Sequence, residues 1–259
     1  MPHATTVVFQ SYRTHDAPDW IAQCLTSVQQ WARSRGHDYH FVGDEFLALV
    51  PDWYRAKAGA EICPVADLAR LLLAKELLAR GYELAIWIDA DVLVFRPEAM
   101  ALSLEHGFAC AHEFWLTHDA TGQAKVAHGV NNAVMMFARD SVQLPFLIDA
   151  CLRIARAKPQ LGKLDVGTHF LCGLRNLMPF PLVQCLATLS PAMLRALADR
   201  DSATVAAYAK ALPRPSACAN LCASLAHDAT ALHAQVVEQL LASRGAVLNR
   251  DRTQPTAPA

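Results

Sequence analysis

Two aspartates, two residues apart, carry the strongest chemical signal in the chain. Asp89 and Asp91 stand between two apolar runs, residues 84–88 and 92–95. In extended backbone, residues two apart point to the same side, so both carboxylates are expected at one strand end. Burying an unpaired carboxylate is very costly, and oxygen ligands suit Mg²⁺ or Mn²⁺, so a divalent cation is the expected partner. The alternative is that both acids cap a turn and face water.

Three further positions carry polar side chains that could reach the same site. Asp67 and Arg70 are spaced i, i+3 in a predicted helix, where they could form a surface ion pair worth about 0.2–0.5 kcal/mol. Asn132 directly precedes an apolar run, a common place for an Asn at a turn. Asp165 falls in a later loop.

The elements that must position these residues alternate between strands and helices. Apolar runs predict strands at residues 7–9, 39–42 and 84–88. Helices are predicted between them, the first from an N-cap at Asp16 and the second from Pro64 to Arg80. Near-continuous apolar strands of this kind predict an α/β fold whose mainly parallel sheet is covered by helices on both faces. Ligands bind at the carboxyl edge of such sheets, where Asp89 and Asp91 fall.

The second half of the chain is predicted to be more helical. A strand is expected at residues 133–137, and the chain is expected to be almost all helical from Pro191 onward. Cys218 and Cys222 are four apart, which predicts a shared helix face rather than a zinc site. The expected domains are 1–190, a helical extension 191–248 and a disordered tail 249–259.

Composition excludes several classes of protein. The 259 residues are 53% hydrophobic and 18% charged, with a formal net charge of −1. This composition excludes a disordered chain and offers no basic field for nucleic acid or an anionic membrane. We find no signal peptide and no apolar run of about 18 residues that could span a bilayer. The expected location is the cytoplasm, with reduced thiols.

These residues carry a resemblance to a known group of enzymes. Residues 65–70, Gly81 and residues 86–92 together resemble the DXD-containing glycosyltransferases of the GT-A fold. The similar branch carries Ser-Asp-x-x-Arg on a helix before a Gly-x-x-x-Asp-x-Asp strand, and includes fungal mannosyltransferases and bacterial toxin glucosyltransferases. The resemblance spans Thr5 to Phe137. The chain departs from the pattern at Ala66, where relatives often have Ser, and in the longer spacing of 22 residues from Asp67 to Asp89.

The resemblance implies a catalytic role for the two aspartates and a donor-binding role for the helix. Asp91 would bind Mn²⁺ or Mg²⁺ bridging a nucleotide diphosphate, and Asp89 would contact the ribose, the sugar or a metal-bound water. Asp67 and Arg70 would hold the donor sugar.

It also implies roles for residues at other strand ends. Gln10, Ser11 and Tyr12 would cradle the nucleotide base, with Asp44 closing the same edge. Residues 128–137 resemble the strand that lines the sugar and acceptor site in such enzymes, and Asn132 would bond a sugar hydroxyl there. Asp165 would lie near the reacting carbon. A C-terminal histidine often completes the metal shell in related folds, but His227 and His233 are more simply ordinary residues of a helical region.

The implied activity is metal-dependent transfer of a sugar from a UDP- or GDP-sugar to an unknown acceptor. Two alternatives stay open. A haloacid-dehalogenase-type phosphatase also carries hydrophobic-Asp-x-Asp, although there the motif stands in the first strand. A non-catalytic nucleotide- or carbohydrate-binding module would retain the same binding residues.

Overall fold

A six-stranded sheet lies at the centre of the protein. The structure is a computed structural model that describes residues 5–225 and 229–249. The strands of this sheet are β1 (Thr6–Ser11), β2 (Asp38–Val42), β3 (Leu84–Ile88), β5 (Phe108–His118), β6 (Ala124–Ala138) and β7 (Leu182–Val183). Their order is β2-β1-β3-β6-β5-β7. Strands β1, β2 and β3 are parallel, and β6 is antiparallel to both of its neighbours. The predicted α/β fold with a mainly parallel sheet is confirmed.

A second sheet of three short strands was not predicted. It contains β4 (Val92–Val94), β8 (Leu186–Thr188) and β9 (Cys218–Asn220), in the order β4-β9-β8. The expectation of an almost all-helical chain after Pro191 is therefore wrong at β9. The shared helix face of Cys218 and Cys222 is also wrong, because Cys218 lies in β9 and Cys222 follows that strand. This strand is only three residues long and buried throughout, so it shows no alternation that the sequence could reveal.

Helices cover both faces of the large sheet. They are α1 (Asp19–Ser34), α2 (Asp52–Ala58), α3 (Ile62–Ala79), α4 (Gln143–Ala157), α5 (Thr168–Leu177), α6 (Pro191–Ala198), α7 (Ser202–Ala211), α8 (Thr230–Ala242) and α9 (Ala246–Asn249). Two 3₁₀ turns occupy Asp44–Leu49 and Ala223–Leu225. The predicted N-cap at Asp16 is wrong. Asp16 adopts a left-handed φ of 53°, and Pro18 precedes the first helical turn instead.

The hairpin of β5 and β6 is the largest feature that the sequence did not predict. Only residues 133–137 were assigned to a strand, whereas β6 begins at Ala124. In the outer half of β5, polar and exposed residues alternate with the fully buried Phe114 and Leu116, so no continuous apolar run marks the hairpin. Asp119 stabilises the turn by accepting bonds from the Thr121 and Gln123 amides at 2.9 and 3.0 Å.

The C-terminal helices share a core with the first half of the chain. Buried residues of α6 and α8, such as Leu194 and Val236, belong to the same cluster as Trp20 and Ile21 of α1. The predicted division at residue 190 stays a prediction. Asn249, assigned to the disordered tail, is the buried last residue of α9, and the rest of that tail lies outside the described residues. No helix within the described ranges is long and apolar enough to cross a membrane.

Candidate functional site

Asp89 and Asp91 lie where β3 ends, in the wall of a cavity of about 670 Å³. The chain turns here rather than staying extended, because the Val92 amide bonds the Asp89 carbonyl at 3.1 Å. The two carboxylates consequently have different partners. Asp89 Oδ1 accepts a bond from the Trp87 indole at 2.6 Å. Asp91 accepts bonds from Asn220 Nδ2 at 3.0 Å and from the Ala223 amide at 2.8 Å.

Asp67 and Arg70 form a buried ion pair on the cavity-facing side of α3. Each is only 6% exposed, and Arg70 Nη2 lies 3.1 Å from Asp67 Oδ1. Arg70 Nη1 also lies 3.2 Å from Asp89 Oδ1, and the guanidinium stacks over Trp87 at 4.8 Å from the ring centroid. The surface-pair reading is therefore wrong, since this guanidinium joins the helix to the end of β3.

Asn132 completes this group of side chains. Its side-chain amide donates to Asp67 Oδ1 at 2.7 Å, and its backbone carbonyl accepts from Arg70 Nη1 at 2.8 Å. Gly167 packs against the same carboxylate so closely that a Cβ there would lie 2.5 Å from Asp67 Oδ2. Three of the predicted site residues thus form one rigid network with Asp89.

The site carries an excess of negative charge. Asp67, Asp89 and Asp91 line the same cavity, and the Arg70 guanidinium forms ion pairs with Asp67 and Asp89. Burial raises the pKa of Asp67 to about 6, against the lowering effect of Arg70. Burial and the nearby charge of Asp89 raise the pKa of Asp91 to about 7. Within the described part of the chain, no basic side chain forms an ion pair with Asp91.

The residues predicted at the ends of β1 and β2 divide into two groups. Ser11, Tyr12 and Asp44 line the cavity. Gln10 does not, because it is fully buried behind the cavity wall. There it donates to the Asp89 carbonyl at 3.1 Å and accepts from the Tyr39 hydroxyl at 3.0 Å. Gln10 therefore positions the backbone of Asp89 and makes no contact with the cavity.

Asp165 does not join the other predicted residues in the cavity wall. Its carboxylate lies 2.6 Å from the Lys158 ammonium and accepts a bond from the Gly162 amide at 2.7 Å. These contacts stabilise the loop before α5, and they lower the pKa of Asp165. The role near the reacting carbon stays a prediction without support from this position.

The two histidines considered as extra metal ligands have different outcomes. His233 is buried and stacked on Trp20, with ring centroids 4.4 Å apart. Its ring nitrogens lie 2.9 and 3.1 Å from the carbonyls of Ala229 and Leu221, so neither nitrogen is available to a metal. His227 lies outside the described residues.

Four further residues line the cavity, of which only His128 falls in a segment singled out from the sequence, residues 128–137. They are Glu113 and Trp115 of β5, His128 of β6 and His169 of α5. Glu113 Oε1 accepts a bond from Asn131 Nδ2 at 3.0 Å. The signal that could have located them is alternation along β5, because Glu113 and Trp115 are two apart and share a face.

Two adjacent asparagines of β6 contact different acids beside an irregularity in the β5–β6 pairing. The pairing jumps from Cys110 with Met135 to Ala111 with Asn131. Bulges of this kind re-aim side chains next to functional sites. Here Asn131 donates its amide to Glu113, whereas Asn132 donates to Asp67.

The residues present fit a divalent cation in charge and in donor chemistry. Asp91 is a partly buried carboxylate bonded only by neutral donors, which leaves its negative charge uncompensated. Carboxylate oxygens are the ligands that Mg²⁺ and Mn²⁺ prefer. No group of three or more His, Cys, Asp or Glu side chains is arranged around one point in the described ranges. Few protein side chains would therefore bind a cation at Asp91, as is usual where substrate phosphates complete the coordination shell of the metal.

Comparison with solved structures finds chains of similar fold. It is similar to a glycosyltransferase involved in the glycosylation of the major capsid of PBCV-1, with a TM-score of 0.50 and 10% identity over 90% of this chain and 98% of that one. Mouse xyloside xylosyltransferase 1, in its apo form, gives a TM-score of 0.44 and 14% identity over 86% and 99% of the two chains. No family model matches the sequence, and no curated protein is significantly similar to it. At 10% identity, the first likeness establishes a shared fold.

Proposed function

We propose that this protein is a metal-dependent glycosyltransferase that takes its sugar from a nucleotide diphosphate sugar. The observation that carries the proposal is that Asp67, Asp89 and Asp91 line one cavity, where Arg70 pairs with Asp67 and Asp89 but forms no ion pair with Asp91. Three acids beside one guanidinium leave a formal excess of two negative charges, which suits a divalent cation together with the diphosphate that it would bind. The fold shared with the first glycosyltransferase compared above supports the same class of reaction.

Asp91 is the residue we assign to the metal. Its carboxylate is held by Asn220 and Ala223, which orient it without neutralising it. A bound Mn²⁺ or Mg²⁺ would offset the charge that develops on the diphosphate as the sugar–phosphate bond breaks. Asp89, which Arg70 partly neutralises, contacts the ribose or the sugar in this assignment.

The network of Asp67, Arg70 and Asn132 is assigned to the donor sugar. Every member is held by at least one other, so its polar atoms keep fixed positions before the donor binds. Such preorganisation lowers the barrier because little has to reorient during the reaction. Ser11, Tyr12 and Asp44 line the part of the cavity assigned to the base, where the Tyr12 ring is available for stacking.

A thermal-shift panel tests the proposal. UDP, GDP and ATP are compared, each with Mn²⁺ and with EDTA, and nucleotide sugars follow for the best base. We expect UDP or GDP to stabilise the protein most and only with metal, by about 2.7 kcal/mol at about 100 times the dissociation constant. Asp91→Asn should lose this stabilisation, whereas the exposed Asp199→Asn should keep it.

Three results would contradict the proposal. Full nucleotide affinity in EDTA, or in Asp91→Asn, would remove the metal role. A largest shift with ATP or with a phosphomonoester would favour the phosphatase alternative. A protein that binds a nucleotide sugar with metal, yet never releases the nucleoside diphosphate, would be a binding module.

A further inference from the structure

The wall formed by Glu113, Trp115, His128 and His169 has no role in the donor assignment. It belongs to the same cavity as Asp91, because Glu113, Asp91 and Cys222 all line that cavity. A group bound against this wall would therefore lie beside the donor rather than in a separate pocket.

Glu113 is held in place with one carboxylate oxygen left without a donor. Oε1 accepts the bond from Asn131, while Oε2 receives no hydrogen bond from any residue in the described ranges. Gly129, its partner across the β5–β6 pairing, makes room for the carboxylate, since a Cβ there would lie 2.9 Å from Oε2. No Lys or Arg in those ranges forms an ion pair with it, and burial raises its pKa.

Trp115 and Glu113 present complementary chemistry on one face of β5. The indole of Trp115 is half-buried and lines the cavity two residues from the carboxylate. A sugar ring has an apolar C–H face that packs on an aromatic ring, and hydroxyl groups that donate to a carboxylate in charge-assisted hydrogen bonds. His128, whose Nδ1 lies 3.3 Å from His112 Nε2, adds a further polar group to the same wall.

We propose that this wall is the acceptor subsite, that it takes a sugar ring, and that Glu113 accepts a hydrogen bond from one of the ring hydroxyls while Trp115 packs on its face. The inference rests on the proposed function. The two asparagines at the β5–β6 irregularity then have separate roles. Asn132 orients the donor network, and Asn131 orients the Glu113 carboxylate.

The test uses para-nitrophenyl glycosides of glucose, galactose, mannose and xylose as acceptors. Release of nucleoside diphosphate is measured with the nucleotide sugar that gives the largest thermal shift. We expect at least one glycoside to accelerate release by the wild-type protein. Glu113→Ala should lower kcat/KM for that glycoside on the order of ten- to a hundred-fold, because one hydrogen bond to a charged group is lost. Glu113→Gln should lower kcat/KM less, because its amide oxygen still accepts a hydrogen bond.

The controls separate acceptor binding from folding. Trp115→Ala should raise the KM for the glycoside, and Trp115→Phe should restore it in part. Glu238→Gln, an exposed substitution on α8, should behave as wild type. Metal-dependent stabilisation by the nucleoside diphosphate reports that each variant is folded.

The outcomes distinguish this inference from the proposed function. Unchanged kcat/KM for the glycoside in folded Glu113→Ala, or no acceleration by any glycoside, overturns the acceptor subsite alone. A wild-type protein that releases no nucleoside diphosphate from any nucleotide sugar overturns the proposed function as well.

Discussion

Replacing Arg70 with Ala should destabilise the protein severely. The side chain is 6% exposed, lies 3.1 and 3.2 Å from the carboxylates of Asp67 and Asp89, and donates to the Asn132 carbonyl at 2.8 Å. Removing one partner of a buried ion pair costs about 3–5 kcal/mol, because an uncompensated charge stays behind. Here two carboxylates lose their cation, so the upper part of that range is expected.

The cost should depend on pH. Arg70 lowers the pKa of Asp67, so its removal raises that pKa further above the unfolded value of about 3.9. A carboxyl group with a raised folded-state pKa binds its proton more tightly in the folded state, and stability then falls as the pH rises. The difference between Arg70→Ala and wild type should be largest near pH 8 and shrink toward about pH 4, where Asp67 is protonated in the folded state of both proteins.

The same helix offers a matched control. Arg80, directly after α3, forms an i, i+4 pair with Glu76, but their side chains are 53% and 46% exposed. Arg80→Ala should cost only about 0.2–0.5 kcal/mol. Urea unfolding of both variants and wild type at pH 5 and pH 8 measures the three free energies. A cost below about 1 kcal/mol for Arg70→Ala, or one that does not change with pH, would refute the reasoning.

Two further predictions concern the metal-free protein and the packing around Asp67. In EDTA, the free energy of unfolding should fall by about 2.6 kcal/mol between pH 5 and pH 8, because Asp91 has a folded pKa of about 7 against about 3.9 unfolded. Asp91→Asn should weaken this pH dependence, and Asp199→Asn should keep it. If urea unfolding gives the same change of free energy with pH in Asp91→Asn and wild type, Asp91 is not its source. Gly167→Ala should cost about 1–3 kcal/mol and reduce turnover, since its Cβ would lie 2.5 Å from Asp67 Oδ2. Gly173→Ala on α5, with nothing within 4 Å, is the control, and similar thermal stability of the two variants would contradict the close approach.

The part of the candidate site that contains Asp67, Arg70, Asp89 and Asp91 was predictable because it depends on local patterns. Five apolar residues in a row mark β3, and that run places Asp89 and Asp91 at a sheet edge. The i, i+3 spacing of Asp67 and Arg70 placed them on one helix face. It could not show that this face is buried, because α3 is apolar on nearly all sides and gives no amphipathic signal.

The partners of Asp91 and Glu113 were not predictable because they depend on pairings distant in the sequence. Asn220 lies 129 residues from Asp91 along the chain, in a three-residue strand without alternation. Asn131 meets Glu113 across the β5–β6 pairing, 18 positions away in the sequence, and neither strand alone shows that contact. Asp165 was predicted near the reacting carbon from its loop position alone. In the structure it forms an ion pair with Lys158 instead.

The long sequence separation between Asp91 and its partners sets an order of events during synthesis. Asp67, Arg70, Asp89 and Asn132 all lie within the first 132 residues. Asn220 and the Ala223 amide, 129 and 132 positions beyond Asp91, emerge from the ribosome much later. A nascent chain can therefore assemble the network of Asp67, Arg70, Asp89 and Asn132 first, while Asp91 acquires its orientation only after β9 joins β4. Cation affinity should appear late, near the end of translation.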